Sequence, residues 1–197
     1  MTALHLRRAA VLIAGAAFAG ACLVGMVSGP GDFSRNERAD PPLWREIAWP
    51  FPRDAWDAGR AFKCSSAECG GDVEVYIRPK LGFCNCATGV RDDEEVDRVT
   101  DLDLITPDFV PSGAGQAIAS AGLHGRARPY RLALPDGSSR SGLGLALSRN
   151  CDVVVAIAQS RSSRAIEQRA VVDLLASEPV RRWIEDRLDG RRQTVAF

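Results

Sequence analysis

The order of apolar and charged positions separates an apolar N-terminal segment from a longer, mixed remainder. Ala9 to Ser28 contains no charged residue, and Arg7 and Arg8 precede it. As a helix this segment would span about 30 Å, which matches the hydrocarbon core of a bilayer. Because arginines before a span favour a cytoplasmic N-terminus, we predict an uncleaved signal anchor, a transmembrane helix, over residues 1–28.

Two other interpretations of this segment also export the rest of the chain. Ala17 and Ala19 form a small-x-small cleavage motif, which is typical of a secretory signal peptide. Cleavage before Cys22 would instead leave a cysteine that can be lipidated. Because Leu23 to Val27 continue the apolar run beyond either cleavage site, we favour the anchor.

Four short segments further along the chain have the pattern of β-strands, rich in β-branched or aromatic residues and bounded by turn formers. The last of them is an almost continuous apolar run, which predicts a central, buried strand. Pro135-Asp136-Gly137 predicts a turn between two of the others. We therefore predict an antiparallel meander over residues 128–158. The four predicted strands are residues 73–78, 128–134, 143–148 and 151–158.

The C-terminal part has the period of amphipathic helices. Ser163 is the predicted N-cap of a first helix, with Ile166, Ala170, Val171, Leu174 and Leu175 on its apolar face. Ser177-Glu178-Pro179 begins a second helix, which we expect Gly190 to end. Its predicted apolar stripe is Val180, Trp183, Ile184 and Leu188. The fold class predicted is α+β, a small antiparallel sheet with two C-terminal helices packed on it.

A proline-rich and tryptophan-rich segment joins the anchor to this domain. We predict a tether over residues 29–54 and an exported α+β domain over residues 55–197, since the prolines exclude a long regular element. Aromatic residues near a membrane can lie in its interface, but we expect these to pack over the domain's own core. They are Trp44, Trp49, Phe51 and Trp56.

Cysteine provides the sharpest chemical signal in the composition. Four of the six cysteines, Cys64, Cys69, Cys84 and Cys86, form a compact group that we call the cysteine cluster. An oxidising compartment favours pairing, and each disulfide contributes about 2–4 kcal/mol. On a strand Cys84 and Cys86 would share a face, so we expect each to pair with one of the other two. We expect Cys151 to be a buried thiol, with a bridge to the cluster as the alternative.

The cysteine cluster also allows metal or redox chemistry. Four thiolates can form a tetrahedral zinc or copper site, although the spacing is not that of a zinc ribbon. Thiol redox chemistry needs a nucleophile of low pKa, and no Cys-x-x-Cys motif occurs. Structural disulfides are therefore the first hypothesis, no cofactor is favoured, and zinc, copper or redox chemistry is the alternative.

The charges are balanced overall but unevenly distributed. The 25 basic and 25 acidic residues cancel, so no basic field favours nucleic acid. Acidic residues gather between positions 91 and 108, where we expect them to begin a short helix and dock on the arginine-rich C-terminal half. A calcium site is the alternative for this segment. Its candidate ligands are Asp92, Asp93, Asp101 and Asp103.

Together these patterns predict a single-pass protein of the bacterial inner membrane, since arginine greatly outnumbers lysine as in GC-rich bacterial genomes. Residues 9–28 would span the membrane and the C-terminal domain would lie in the periplasm. No linear catalytic motif occurs, so we expect a non-catalytic domain that binds or assembles a cell-envelope protein. The alternative is a metal-handling or thiol-redox accessory protein that uses the cysteine cluster.

Overall fold

A computed structural model describes residues 43–161 and 164–194. The predicted anchor, the two cleavage sites with Cys22, the first part of the tether and Ser163 lie outside the described residues. Within the described residues, no helix combines the length and the apolar character needed to cross a bilayer.

The described chain forms one antiparallel sheet of eight strands with three α-helices. The strands are β1 Arg45–Ile47, β2 Arg60–Cys64, β3 Val73–Lys80, β4 Phe109–Pro111, β5 Gln116–Ser120, β6 Leu123–Ala133, β7 Ser139–Arg149 and β8 Asp152–Ser160. The helices are α1 Asp93–Val99, α2 Gln168–Ala176 and α3 Glu178–Thr194. Short 3-10 turns cover Ala67–Cys69 and Leu102–Leu104. The strand order is β1-β2-β3-β8-β7-β6-β4, and β5 also pairs with β6.

The three longest neighbouring strands form the predicted meander. β6, β7 and β8 follow one another in sequence and pair antiparallel, and β8 lies between β7 and β3. The β6–β7 turn uses Gly137 at a φ of 80°, and the Ser138 N–H donates to Asp136 Oδ1 at 2.9 Å. The predicted turn therefore forms through a positive φ that glycine adopts without strain.

α2 and α3 cover one face of the sheet. The main core includes the buried side chains of Val171, Leu174, Ile184 and Leu188, together with apolar residues of β2, β3, β7 and β8. The predicted apolar stripes of both helices therefore face the sheet. Trp183 differs, because it is only half-buried and the Arg60 guanidinium lies 5.7 Å from its ring centroid.

The predicted ends of these two helices were wrong. α2 begins at Gln168 and has Glu167 at its N-cap, so Ile166 precedes the helix. α3 continues through Gly190 to Thr194. A glycine inside a helix costs only about 1 kcal/mol relative to alanine, which does not by itself stop a helix that continues on both sides.

The opposite face of the sheet is covered by α1 and by the segment that follows β1. Trp49 and Phe51 pack edge-to-face at 5.3 Å, and Phe51 lies 4.7 Å from the ring of Tyr76 on β3. β1 itself lies within the segment expected to be a tether and pairs with β2. The aromatic residues Trp49 and Phe51 thus pack over the domain's own core.

Candidate functional site

The five cysteines within the described residues form two disulfides, and their pairing differs from the expected one. Cys64 is bonded to Cys69, and Cys86 is bonded to Cys151. Cys84 is a free, buried thiol. The expectation that Cys84 and Cys86 would each pair with Cys64 or Cys69 is therefore corrected in this structure.

Local geometry explains the difference. Cys64 ends β2 and Cys69 lies in the 3-10 turn that follows, so a short chain reversal brings their Cα atoms to 6.5 Å. Cys84 and Cys86 lie in a loop rather than on a strand, so the argument that their side chains share a face does not apply. The Cys84 N–H donates to the Cys151 carbonyl at 3.1 Å, which holds this loop beside the β7–β8 turn.

The environment of Cys84 makes its thiol a poor nucleophile. Burial raises the pKa of the Cys84 thiol, and the negative charges of Glu95 and Asp152 raise it further. The sulfur lies 3.4 Å from the Asp152 carbonyl and 3.5 Å from that of Asn150. Since the thiolate is the reactive form, this cysteine has the character of a packed core residue.

The expected zinc or copper ligands do not come together. Cys64 and Cys69 are oxidised to each other, while Cys86 is joined to Cys151. Across the part of the chain that the structure describes, no three His, Cys, Asp or Glu side chains are grouped to hold a metal ion.

The four aspartates proposed for calcium have four separate environments. Asp92 caps α1 by accepting from the Glu95 N–H at 2.9 Å, and Asp93 accepts from the Gly115 N–H at 2.8 Å. Asp101 is buried in an ion-pair network, whereas Asp103 is exposed. They therefore act as structural partners or surface residues and do not form one oxygen cage.

The acidic helix α1 docks on basic residues of β6, as the charge distribution suggested. Asp93 accepts from Arg126 Nε at 2.8 Å, and Asp97 receives both Arg128 and the Tyr130 hydroxyl. The Gly115 N–H, followed by Arg126, holds the pKa of Asp93 below its usual value despite partial burial. These contacts fix α1 across the sheet.

The second group of charges surrounds a cavity of about 300 Å³, which we call the charged cavity. Asp101 Oδ2 accepts from Arg78 Nε at 2.8 Å, and its other oxygen pairs with Lys80. Arg78 also makes two 2.8 Å hydrogen bonds to Asp54. Lys80 Nζ lies 4.8 Å from the centroid of Phe83. Two carboxylates thus neutralise the two buried cations. The network connects β3 to the segments that contain Asp54 and Asp101.

A larger groove of about 600 Å³ lies where β1, the Ala67–Cys69 turn and α2 meet. We call it the docking groove. Its apolar lining is Leu43, Trp44, Ala67, Ala170 and Leu174, and its polar lining is Glu68, Glu167, Arg169, Asp173 and Ser177. Because its lining is mainly apolar and open to solvent, it can accept apolar side chains of a ligand.

Two residues of the docking groove have environments that are unusual for apolar side chains in a folded domain. Leu43 is one of the exposed large apolar side chains of the described chain, at 36% exposure. The indole Nε1–H of Trp44 is buried and has no hydrogen-bond partner in the described structure. A buried donor without an acceptor costs about 1–3 kcal/mol, so the Trp44 side chain lowers the stability of this part of the described structure.

Sequence reasoning did not find the docking groove. Its lining comes from three segments, near positions 43, 67 and 170, which only the tertiary fold brings together. The one local signal was Trp44, an aromatic residue in a segment otherwise interpreted as a tether. Helical periodicity predicts that Ala170 and Leu174 face the core. It does not show which part of that apolar face the neighbouring segments leave uncovered.

Comparison with known proteins leaves the chain without a family. No protein family and no curated protein matches it. Among solved structures it is similar to the protein of unknown function PA94 from Pseudomonas aeruginosa, at a TM-score of 0.35 and 12% identity. That match covers 79% of this chain and 98% of the other. A likeness at this level carries no argument about fold or function.

Proposed function

We propose that this is a single-pass protein of the bacterial inner membrane whose periplasmic domain binds a cell-envelope protein without catalysing a reaction. The observation that supports binding is the docking groove, which is open, has a volume of about 600 Å³ and exposes mainly apolar atoms. A concave site lined by apolar side chains with a few polar groups is the usual form of a ligand-binding site.

The anchoring part of the proposal comes from the N-terminal sequence. Residues 9–28 are free of charge and long enough to span a bilayer, and arginines precede them. The two disulfides support export, because such bonds persist in the periplasm and are rare in reducing compartments.

The non-catalytic part of the proposal comes from the chemistry of the described side chains. The charged cavity holds its cations in ion pairs, and the free cysteine is buried with a raised pKa. Neither arrangement offers a reactive group to a substrate, whereas the docking groove offers an open surface with apolar side chains. Metal handling or thiol redox chemistry gains no specific support from this geometry.

Site-specific photo-crosslinking in intact cells tests the proposal. A photoreactive amino acid at position 43 lies in the docking groove, and the same amino acid at position 110 is the control. Leu43 and Val110 are both exposed large apolar residues, but only Leu43 lines the groove. We expect a discrete adduct with an envelope protein from position 43 and none from position 110.

Each part of the proposal has its own outcome that would contradict it. The binding function fails if positions 43 and 110 give the same adducts or if position 43 gives none. The membrane and periplasm assignment fails if the protein leaves the membrane in a carbonate wash or if a C-terminal export reporter is inactive. Ala67→Arg adds a long cationic side chain at the groove and should remove the adduct from position 43.

A further inference from the structure

We propose that the docking groove takes an extended segment of the partner in which basic side chains alternate with apolar ones. The inference rests on the proposed function and names the chemistry of the partner at the same site. It is drawn from three properties of the groove: the shape of its apolar floor, the sign of the charge on its rim, and the strand at which it begins.

The floor accepts apolar side chains of moderate size. Leu174 and Ala170 are 4% and 8% exposed, and they form the α2 side of the groove. Leu43 and Trp44 form the opposite side. The small side chains of Ala67 and Ala170 leave room between these two walls. Aliphatic side chains that a ligand buries here are removed from water, which favours binding.

The rim has an excess of negative charge. Among the described residues that line the groove, Glu68, Glu167 and Asp173 are carboxylates and Arg169 is the single cation. Arg169 Nε lies 3.9 Å from Asp173 Oδ2, but both side chains are exposed, at 92% and 69%. The exposed ion pair is weak, and the single positive charge of Arg169 leaves two of the three negative charges on the rim uncompensated. Basic side chains of a ligand would complement this rim and acidic ones would be repelled.

One side of the groove lies next to the edge strand of the described sheet. Leu43 and Trp44 lead directly into β1, the terminal strand of the described sheet, which pairs with β2 on one side. A partner segment can therefore hydrogen-bond along the outer edge of β1, and alternate side chains then point to the groove and to its rim.

The test uses the full chain with its disulfides intact, held in lipid nanodiscs, and labelled peptides as probes. The first probe is a seven-residue peptide that alternates valine and arginine. The second replaces each arginine with glutamate, and the third keeps the arginines but is N-methylated along one hydrogen-bonding edge. Fluorescence anisotropy gives the affinity of each probe at low and high salt.

We expect the arginine peptide to bind at least about tenfold more tightly than the glutamate peptide, with the difference shrinking as salt screens the rim. N-methylation should weaken binding by about tenfold, because it removes the donors that pair with a strand edge. Leu43→Asn, which adds no charge, should weaken the arginine peptide by about tenfold, and Val110→Asn should leave its affinity unchanged. The double variant Glu68→Gln with Glu167→Gln should reduce the preference for arginine.

Equal affinity for the arginine and glutamate peptides, or no effect of Leu43→Asn, would overturn the inference. Binding of the arginine peptide only after deletion of residues 29–42 would overturn it too, because the chain's own segment would then be the occupant. If self-association of the protein displaces the arginine peptide, the occupant of the groove is a second copy of the chain, and the inference is overturned as well. A crosslink from position 43 to an envelope protein, combined with no peptide discrimination, leaves the proposed function intact and removes only this inference.

Discussion

Asp101 and Asp103 are two residues apart and chemically identical, yet their environments differ completely. Asp101 bonds to Arg78 and Lys80, and all three side chains are less than 10% exposed. Asp103 is exposed at the mouth of the charged cavity. The sequence analysis treated both alike, as candidate calcium ligands in an acidic segment, because the partners of Asp101 come from β3 and are set by the fold.

Replacement of Asp101 tests the importance of this network. We expect Asp101→Ala to lower the free energy of unfolding by about 3–5 kcal/mol, because it leaves buried cations with one carboxylate fewer. Asp103→Ala is the matched control and should change it by no more than about 0.5 kcal/mol. Chemical denaturation of the two variants measures both values. Equal stability of the two would mean that the charged cavity is hydrated and that its ion pairs do not hold the fold.

The secondary-structure elements were predicted correctly where the hydrophobic periodicity of the sequence is strong. The apolar run of β8 and the turn at Pro135-Asp136-Gly137 predicted the meander, and the 3.6-residue period predicted the buried faces of α2 and α3. β1, β4 and β5 are only three to five residues long, so they have too few positions to show an alternation. Their pairing is decided by neighbours far away in the chain.

The docking of α1 should depend on pH. The Gly115 N–H and Arg126 lower the pKa of Asp93 from its ordinary value of 3.8, against the opposing effect of burial. The unfolded chain therefore takes up the proton first, and acid favours unfolding. The stabilisation is complete above pH values near 3.8 and is lost as the pH falls through the lower pKa of the folded state.

Urea denaturation between pH 6 and pH 3 checks this expectation. Asp93→Asn should be less stable than the wild type at pH 6, and the difference should narrow as the pH falls. Glu94→Gln is the control, because Glu94 is exposed on the same helix. A gap between Asp93→Asn and the wild type that stays constant over this range would show that the charge of Asp93 does not stabilise the fold.

In the whole molecule, the least predictable features were those that join distant segments. The cysteine spacing correctly indicated disulfides, but it could not show that Cys151 would pair and Cys84 would remain free. Loop 84–86 lies beside the β7–β8 turn through a backbone hydrogen bond, which leaves no trace in the local sequence. The docking groove arises in the same way, from three segments that meet only after the sheet and α2 have packed.

The proposed export and the lack of thiol chemistry at the described cysteines both depend on the oxidation state of those cysteines. Disulfide mapping by mass spectrometry measures this state, on protein isolated from cells whose free thiols were alkylated before lysis. We predict Cys64 linked to Cys69, Cys86 linked to Cys151, and Cys84 alkylated only after unfolding. Four free thiols in the cysteine cluster, with one equivalent of bound zinc or copper, would contradict the proposed function. Ready alkylation of Cys84 in the folded protein would contradict it as well.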